Sequence, residues 1–178
     1  MWQEIWNTVV SEFSDIPDVS QITRITLRLL VAAILGGSLG YEREHHGKSA
    51  GVRTHMLVAI GAALFVLIPQ QAGVSSSDLT RVLQGLVTGV GFLGAGTIIL
   101  KSKQKEVQGL TTAAGIWVTA AIGLAAGMGR ESTAILSTLI ALFILAAVPW
   151  IVQDKKEEKS EAKERNSPPN PASERDVS

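Results

Sequence analysis

The chain has no cysteine. That excludes disulfides, thiolate nucleophiles, iron–sulfur clusters and S-palmitoylation, and leaves no redox clue to the compartment. Aromatic residues make up only 5% of the 178 residues, and the formal net charge is zero, which excludes a strongly basic nucleic-acid binder. The most informative absence is of charge within the apolar runs. His55–Gly73, Val82–Leu100, Gly109–Met128 and Thr133–Val152 hold no Asp, Glu, Lys or Arg; a fifth run, Thr23–Gly40, has Arg24 at its edge and is interrupted by Arg28. A hydrocarbon core of ~30 Å takes ~20 residues of helix to cross. Unpaired peptide groups in lipid cost several kcal/mol each, so helix is the conformation such runs must take.

An all-α integral membrane protein with five transmembrane helices follows, the lipid bilayer being its first partner. Residues 21–152 form the membrane domain. Residues 1–20 are an extracytoplasmic segment without the positive start of a signal peptide. In it Trp2, Ile5, Trp6, Val9, Val10 and Phe13 recur at helical spacing, predicting an amphipathic interfacial helix over Met1–Phe13. Residues 153–178 are charged and poor in large apolar side chains, and predict a disordered cytoplasmic tail.

Lys and Arg are unevenly distributed. Arg43, Lys48 and Arg53 lie in the first connection, Lys101, Lys103 and Lys105 in the third, and six more in the tail; the other side has Arg24, Arg81 and Arg130. This bias places the N-terminus outside and the C-terminus in the cytoplasm. Pro69 is expected to stop the second helix.

Glycine numbers 17, and small residues let membrane helices approach closely. Gly36, Gly40, Gly85, Gly89, Gly91, Gly94, Gly96 and Gly109 are therefore candidate packing positions, and the run Gly89–Gly96 a candidate break in its helix. Gly89-Val-Gly-Phe-Leu-Gly94 formally matches a dinucleotide fingerprint but lacks the strand and acidic residue that motif requires. Thr111 and Thr112, with Thr88, Thr97 and Thr119, are the hydroxyls available to line a path.

The segment Tyr41–His55 is the most chemically dense. Glu42, Arg43, Glu44, Lys48, Arg53, Thr54 and His55 are its candidate functional residues, with Arg53 expected to reach Glu42 or Glu44 by paired hydrogen bonds. Arg28, inside a membrane helix, is a functional candidate by position; Asp78 is its expected partner, with Arg81 one turn away. No metal site, cofactor or catalytic group has supporting context, so no enzyme activity is expected. His45 and His46 are adjacent and point apart, which argues against ligation.

Glu42-Arg-Glu, Lys48, Ala50-Gly-Val-Arg-Thr-His55, Asp78-x2-Arg81, Gly89-Val-Gly-Phe-Leu-Gly-Ala-Gly96 and Gly109-Leu-Thr-Thr-Ala-Ala114 before Trp117 resemble the MgtC/SapB family of bacterial inner-membrane proteins. The resemblance runs from about Arg28 to Gly129. It implies five transmembrane helices, a link to growth in low magnesium and, in pathogens, to survival inside host cells. It further implies either regulation of other membrane machinery, including the proton-driven ATP synthase, or transport of Mg²⁺. The folded C-terminal domain of some relatives has no counterpart in the short polar tail. Mg²⁺ prefers octahedral oxygen ligands and sheds water reluctantly, yet every Asp and Glu falls outside the predicted membrane interior. A non-catalytic regulator that binds other membrane proteins, or itself as a homo-oligomer, is the favoured reading, and an ion transporter or channel the alternative.

Overall fold

A computed structural model describes residues 1–12, 18–99 and 109–147. The predicted tail over 153–178, Phe13, the three lysines of the third connection and the end of the fifth apolar run lie outside the described residues. The chain forms two compact units, Met1–Leu142 and Phe143–Ser178; in the second, the described residues are the end of the last helix.

Among the described residues six helices follow one another: α1 Trp2–Glu12, α2 Val19–His45, α3 Val52–Gln71, α4 Ser76–Ile99, α5 Leu110–Gly127 and α6 Glu131–Ala147. No strand occurs among the described residues. Helices α2 to α5 are long and apolar enough to cross a membrane; α6, the fifth expected span, is apolar but shorter over the described residues. Helix α1 buries none of its residues and keeps Trp2, Ile5 and Trp6 exposed, as an amphipathic helix without a protein partner would.

Helix α2 is longer at both ends than its apolar run. Asp18 starts it early, accepting from the Ser20 N–H at 3.3 Å and the Ser20 hydroxyl at 2.6 Å. At the far end the helix continues through Tyr41–His45, which hydropathy assigns to a loop. It stops where Gly47 takes φ +63°, with Gly47 N–H bonding to Glu44 O and Lys48 N–H to Arg43 O. Helices α3 and α5 end in the same way at Gly73 and Gly129. Pro69 therefore does not stop α3 as expected: it lies inside the last turn, and its carbonyl accepts from Val74 N–H at 3.0 Å. Nor does Gly89–Gly96 break α4, which is continuous there.

Helices α2, α3 and α5 pack against one another, and α4 leans on α5 with less contact to α3. The contacts are made by small residues. A Cβ at Gly36 would stand 2.8 Å from Ala59 Cβ, one at Gly40 2.6 Å from Val52 Cα, and one at Gly127 2.8 Å from Ala63 Cα. Gly123 lies against the backbone of Ala59. Large apolar side chains such as Leu30, Ile34, Leu57, Phe65, Phe92 and Trp117 point outward instead. Small residues inside and large ones outside suit a bundle whose surroundings are themselves apolar.

Candidate functional site

Thirteen residues separate Arg28 from Glu42 on α2, a helical rise of about 20 Å. The hydrocarbon core is ~30 Å thick, so the charged groups of α2 cannot all stay clear of it. The protein shelters them in two polar clusters, one at each end of the bundle.

The first joins the end of α2, the start of α3 and α5. Both Glu42 carboxylate oxygens accept from Arg43, Oε2 from Nε and Oε1 from Nη2, the latter at 2.6 Å. The Arg43 side chain is 4% exposed, so this adjacent-residue fork is the charge compensation that lets a guanidinium enter the bundle. His46 closes over Glu42, its Nδ1 lying 2.9 Å from Glu42 O and 3.1 Å from Oε1. Glu44 acts on the next helix: its Oε2 accepts from Val52 N–H at 2.9 Å, placing an anion at the N-terminus of α3. Gly51 precedes this turn without a capping side chain, and a Cβ there would collide with the Glu44 carboxylate.

Below this layer His55 is fully buried, with Nδ1 2.7 Å from Thr119 Oγ1; Nε2 is buried without a hydrogen bond among the described residues. Thr112 and Thr119 are buried on one stripe of α5, with Gly115 between them. A Cβ at Gly115 would lie 3.4 Å from His55 Cε1 and 4.0 Å from Arg43 Cδ. Gly115 thus lies at the meeting point of both groups, at ordinary contact distance from each.

Several expected contacts are corrected. Arg53 is exposed in the first turn of α3 and makes no ion pair among the described residues; Arg43 takes the role assigned to it, because Glu42 is already forked and Glu44 turns to Val52. Lys48 and Thr54 are exposed, as is Thr111. Asp78 is not the partner of Arg28. It accepts from the Ser75 hydroxyl at 2.7 Å at the start of α4 and lies 3.6 Å from exposed Arg81.

Arg28 belongs to the second cluster, at the opposite end. Its Nη1 donates to Gly127 O at 3.0 Å and Gln70 Oε1 at 3.4 Å, and its Nε lies 3.9 Å from Glu131 Oε1. A cation thus meets the carbonyl end of α5, where the helix dipole is negative. Gly129 at φ +75° makes the space, since a Cβ there would run into the guanidinium. Beside Arg28 opens a recess of about 260 Å³ between the first turns of α2 and the last of α3. Gln70 and Glu131 carry no motif, and the run Gly127-Met-Gly-Arg-Glu131 signals only a turn, so sequence reasoning missed them.

The expected packing glycines divide. Gly36 and Gly40 touch α3, Gly94 comes within van der Waals reach of Ala113, and Gly109 at φ +100° sits against Thr97 O. A Cβ at Gly85, Gly89, Gly91 or Gly96 would meet nothing within 4 Å among the described residues, so these glycines are not packed by the described helices. Among the described residues no group of three His, Cys, Asp or Glu is placed to hold a metal ion.

The MgtC family model matches residues 29–153, which cover the Glu42–Arg43 cluster and helices α3 to α5 and begin one residue after Arg28. The chain belongs to the MgtC family. It is 40% identical over 146 residues to protein SrpB of Synechococcus elongatus, covering 72% of this chain and 80% of that one. It is 44% identical over 126 residues to a protein of Escherichia coli K12 named "Putative magnesium transporter YhiD", covering 67% and 58%. It is 42% identical over 122 residues to protein MgtC of Brucella abortus, covering 68% and 50%. The chain thus spans about half the length of the last two relatives. No solved structure matches it.

Proposed function

We propose that this MgtC-family chain is a non-catalytic protein of the bacterial inner membrane, N-terminus outside and C-terminus cytoplasmic, that serves adaptation to low magnesium by binding other membrane proteins. The orientation rests on the Lys and Arg distribution. The partner-binding reading rests on the outward face of α4. Among the described side chains of that helix only Val90 and Gly94 are buried; Val90 packs with Ile116 and Ala120 of α5, and Gly94 lies against Ala113. The other side carries Gln84, Gly85, Thr88, Gly89, Ala95 and Gly96, with Phe92 projecting at 82% exposure. A face meant for lipid would carry large apolar residues, as α2 and α3 do; small and hydrogen-bonding residues are what helix–helix contact in a membrane selects. The occupant this reading names is a transmembrane helix of another inner-membrane protein.

The test is Gly89→Leu, which has open space around it, expressed in a deletion strain grown in limiting Mg²⁺. The variant should reach wild-type membrane levels and lose growth. Wild-type growth at normal levels would refute the docking role of α4. The transport alternative, which the name of the Escherichia coli relative favours, predicts saturable Mg²⁺ flux from the purified chain in proteoliposomes. Such flux would replace the regulatory reading.

A further inference from the structure

We propose that the recess at the Arg28 end of the bundle is a binding site for a phosphate-type oxyanion, either a lipid headgroup phosphodiester or free phosphate. Arg24 and Arg28 are four residues apart on α2, hence on one face, and both line the recess. Two like charges side by side repel unless something negative lies between them. Arg24 makes no hydrogen bond or ion pair among the described residues. Arg28 is only partly compensated: its side chain is 18% exposed, its Nε is buried without a hydrogen bond among the described residues, and Glu131 stays at 3.9 Å. The carboxylate that lines the recess, Asp18, is turned to the Ser20 N–H and hydroxyl as the cap of α2. The hydrogen bonds to Ser20 hold its carboxyl below the usual range, so it remains an anion committed to that cap.

The rest of the wall supplies neutral donors. Gln21, Gln70 and Gln71 line the recess with carboxamides. Carboxamides around a pair of guanidiniums can complete the donor shell of a tetrahedral oxyanion, whose oxygens match the guanidinium fork. A volume of about 260 Å³ is ample for a phosphate group or the phosphodiester of one lipid headgroup. These two arginines also lie on the side poor in Lys and Arg, so they are not explained as topology signals. The site is independent of the α4 reading, which involves the other side of the bundle's α4 helix and a different class of partner.

The test uses the purified full-length chain in a neutral detergent, with thermal unfolding followed by tryptophan fluorescence. One arm titrates inorganic phosphate at constant ionic strength, with chloride as the control. The other compares lipid nanodiscs of phosphatidylcholine with and without phosphatidylglycerol. The wild type should be stabilised saturably in at least one arm; response to phosphate identifies the free anion, and response to phosphatidylglycerol alone identifies the headgroup. Arg24→Gln, at an exposed position, should fold and bind about tenfold or more weakly, the effect of losing a charge-assisted contact. Arg130→Gln makes the same charge change at the same end of the bundle but outside the recess, and should bind as wild type. No saturable response in either arm, or equal losses in the two variants, would overturn the site.

Discussion

Gly123→Ala isolates the helix contact on which the bundle depends. A Cβ at Gly123 would overlap the Ala59 carbonyl oxygen and lie 2.7 Å from Ala59 Cα and 2.8 Å from its carbonyl carbon. Comfortable carbon–carbon separation is about 3.5–4.0 Å, so α3 and α5 must part by about 1 Å. No rotamer relieves this, because the obstacle is backbone. Helix α3 cannot retreat freely either, since Ala59 is backed by Gly36 of α2, where an added Cβ would be 2.8 Å from Ala59 Cβ. Overpacking of this kind costs roughly 1–3 kcal/mol, and for a chain of this size each kcal/mol lowers Tm by about 2–4 °C. The expected loss is therefore roughly 2–12 °C, read by thermal unfolding in detergent. Gly89→Ala makes the same chemical change in another apolar helix, where a Cβ meets nothing within 4 Å. Helix propensity then acts alone and favours alanine by up to ~1 kcal/mol, so Tm should hold or rise slightly. Equal Tm values for the wild type and Gly123→Ala would refute the claim that this contact is closed to a methyl group.

Two further outcomes follow from the charged ends. Arg43→Lys keeps the charge but cannot fork onto Glu42, and should reduce folding stability by about 1–3 kcal/mol and lower membrane levels, whereas Arg53→Lys, exposed and unpaired among the described residues, should grow in limiting Mg²⁺ like the wild type. Because hydrogen bonds to Ser20 hold the Asp18 carboxyl below its usual range, the cap contributes fully above about pH 4 and loses that contribution as pH falls through the folded pKa; a Tm–pH profile of Ser20→Ala should be flatter than wild type in the acid range.

The apolar runs located α3, α4 and α5 to within a few residues at most ends, because lipid exposure imposes one requirement on every position of a span. They failed at Tyr41–His45, where hydropathy ends but hydrogen bonding does not: the backbone continues as helix until Gly47 supplies a left-handed turn. The dense segment 42–55 stood out in the sequence by its charges, and Glu42 and Arg43 pair there above the buried His55, while Glu44 turns to Val52 N–H. Its pairings were not legible. Arg53 and Arg43 present the same guanidinium in the sequence, and only helical phase separates them: that of α2 turns Arg43 inward, and that of α3 leaves Arg53 exposed. The partners of Arg28 were hidden for a different reason, since a backbone carbonyl such as that of Gly127 has no letter of its own.

The glycines carry the same lesson into function. Gly36-x3-Gly40, Gly123-x3-Gly127 and Gly85-x3-Gly89 are one pattern in the sequence, and the pattern states only that a helix can be approached closely. The structure separates them by what fills the groove. The first two are occupied by α3, so any added atom there is resisted by backbone; the third is open. Substitutions in the occupied grooves should therefore lower stability first and activity as a consequence. Those in the open groove should leave stability untouched, and a loss of growth without a loss of stability would point to a partner contact at that face. Measuring stability and growth on the same variants separates a scaffold from a docking surface, which neither measurement does alone.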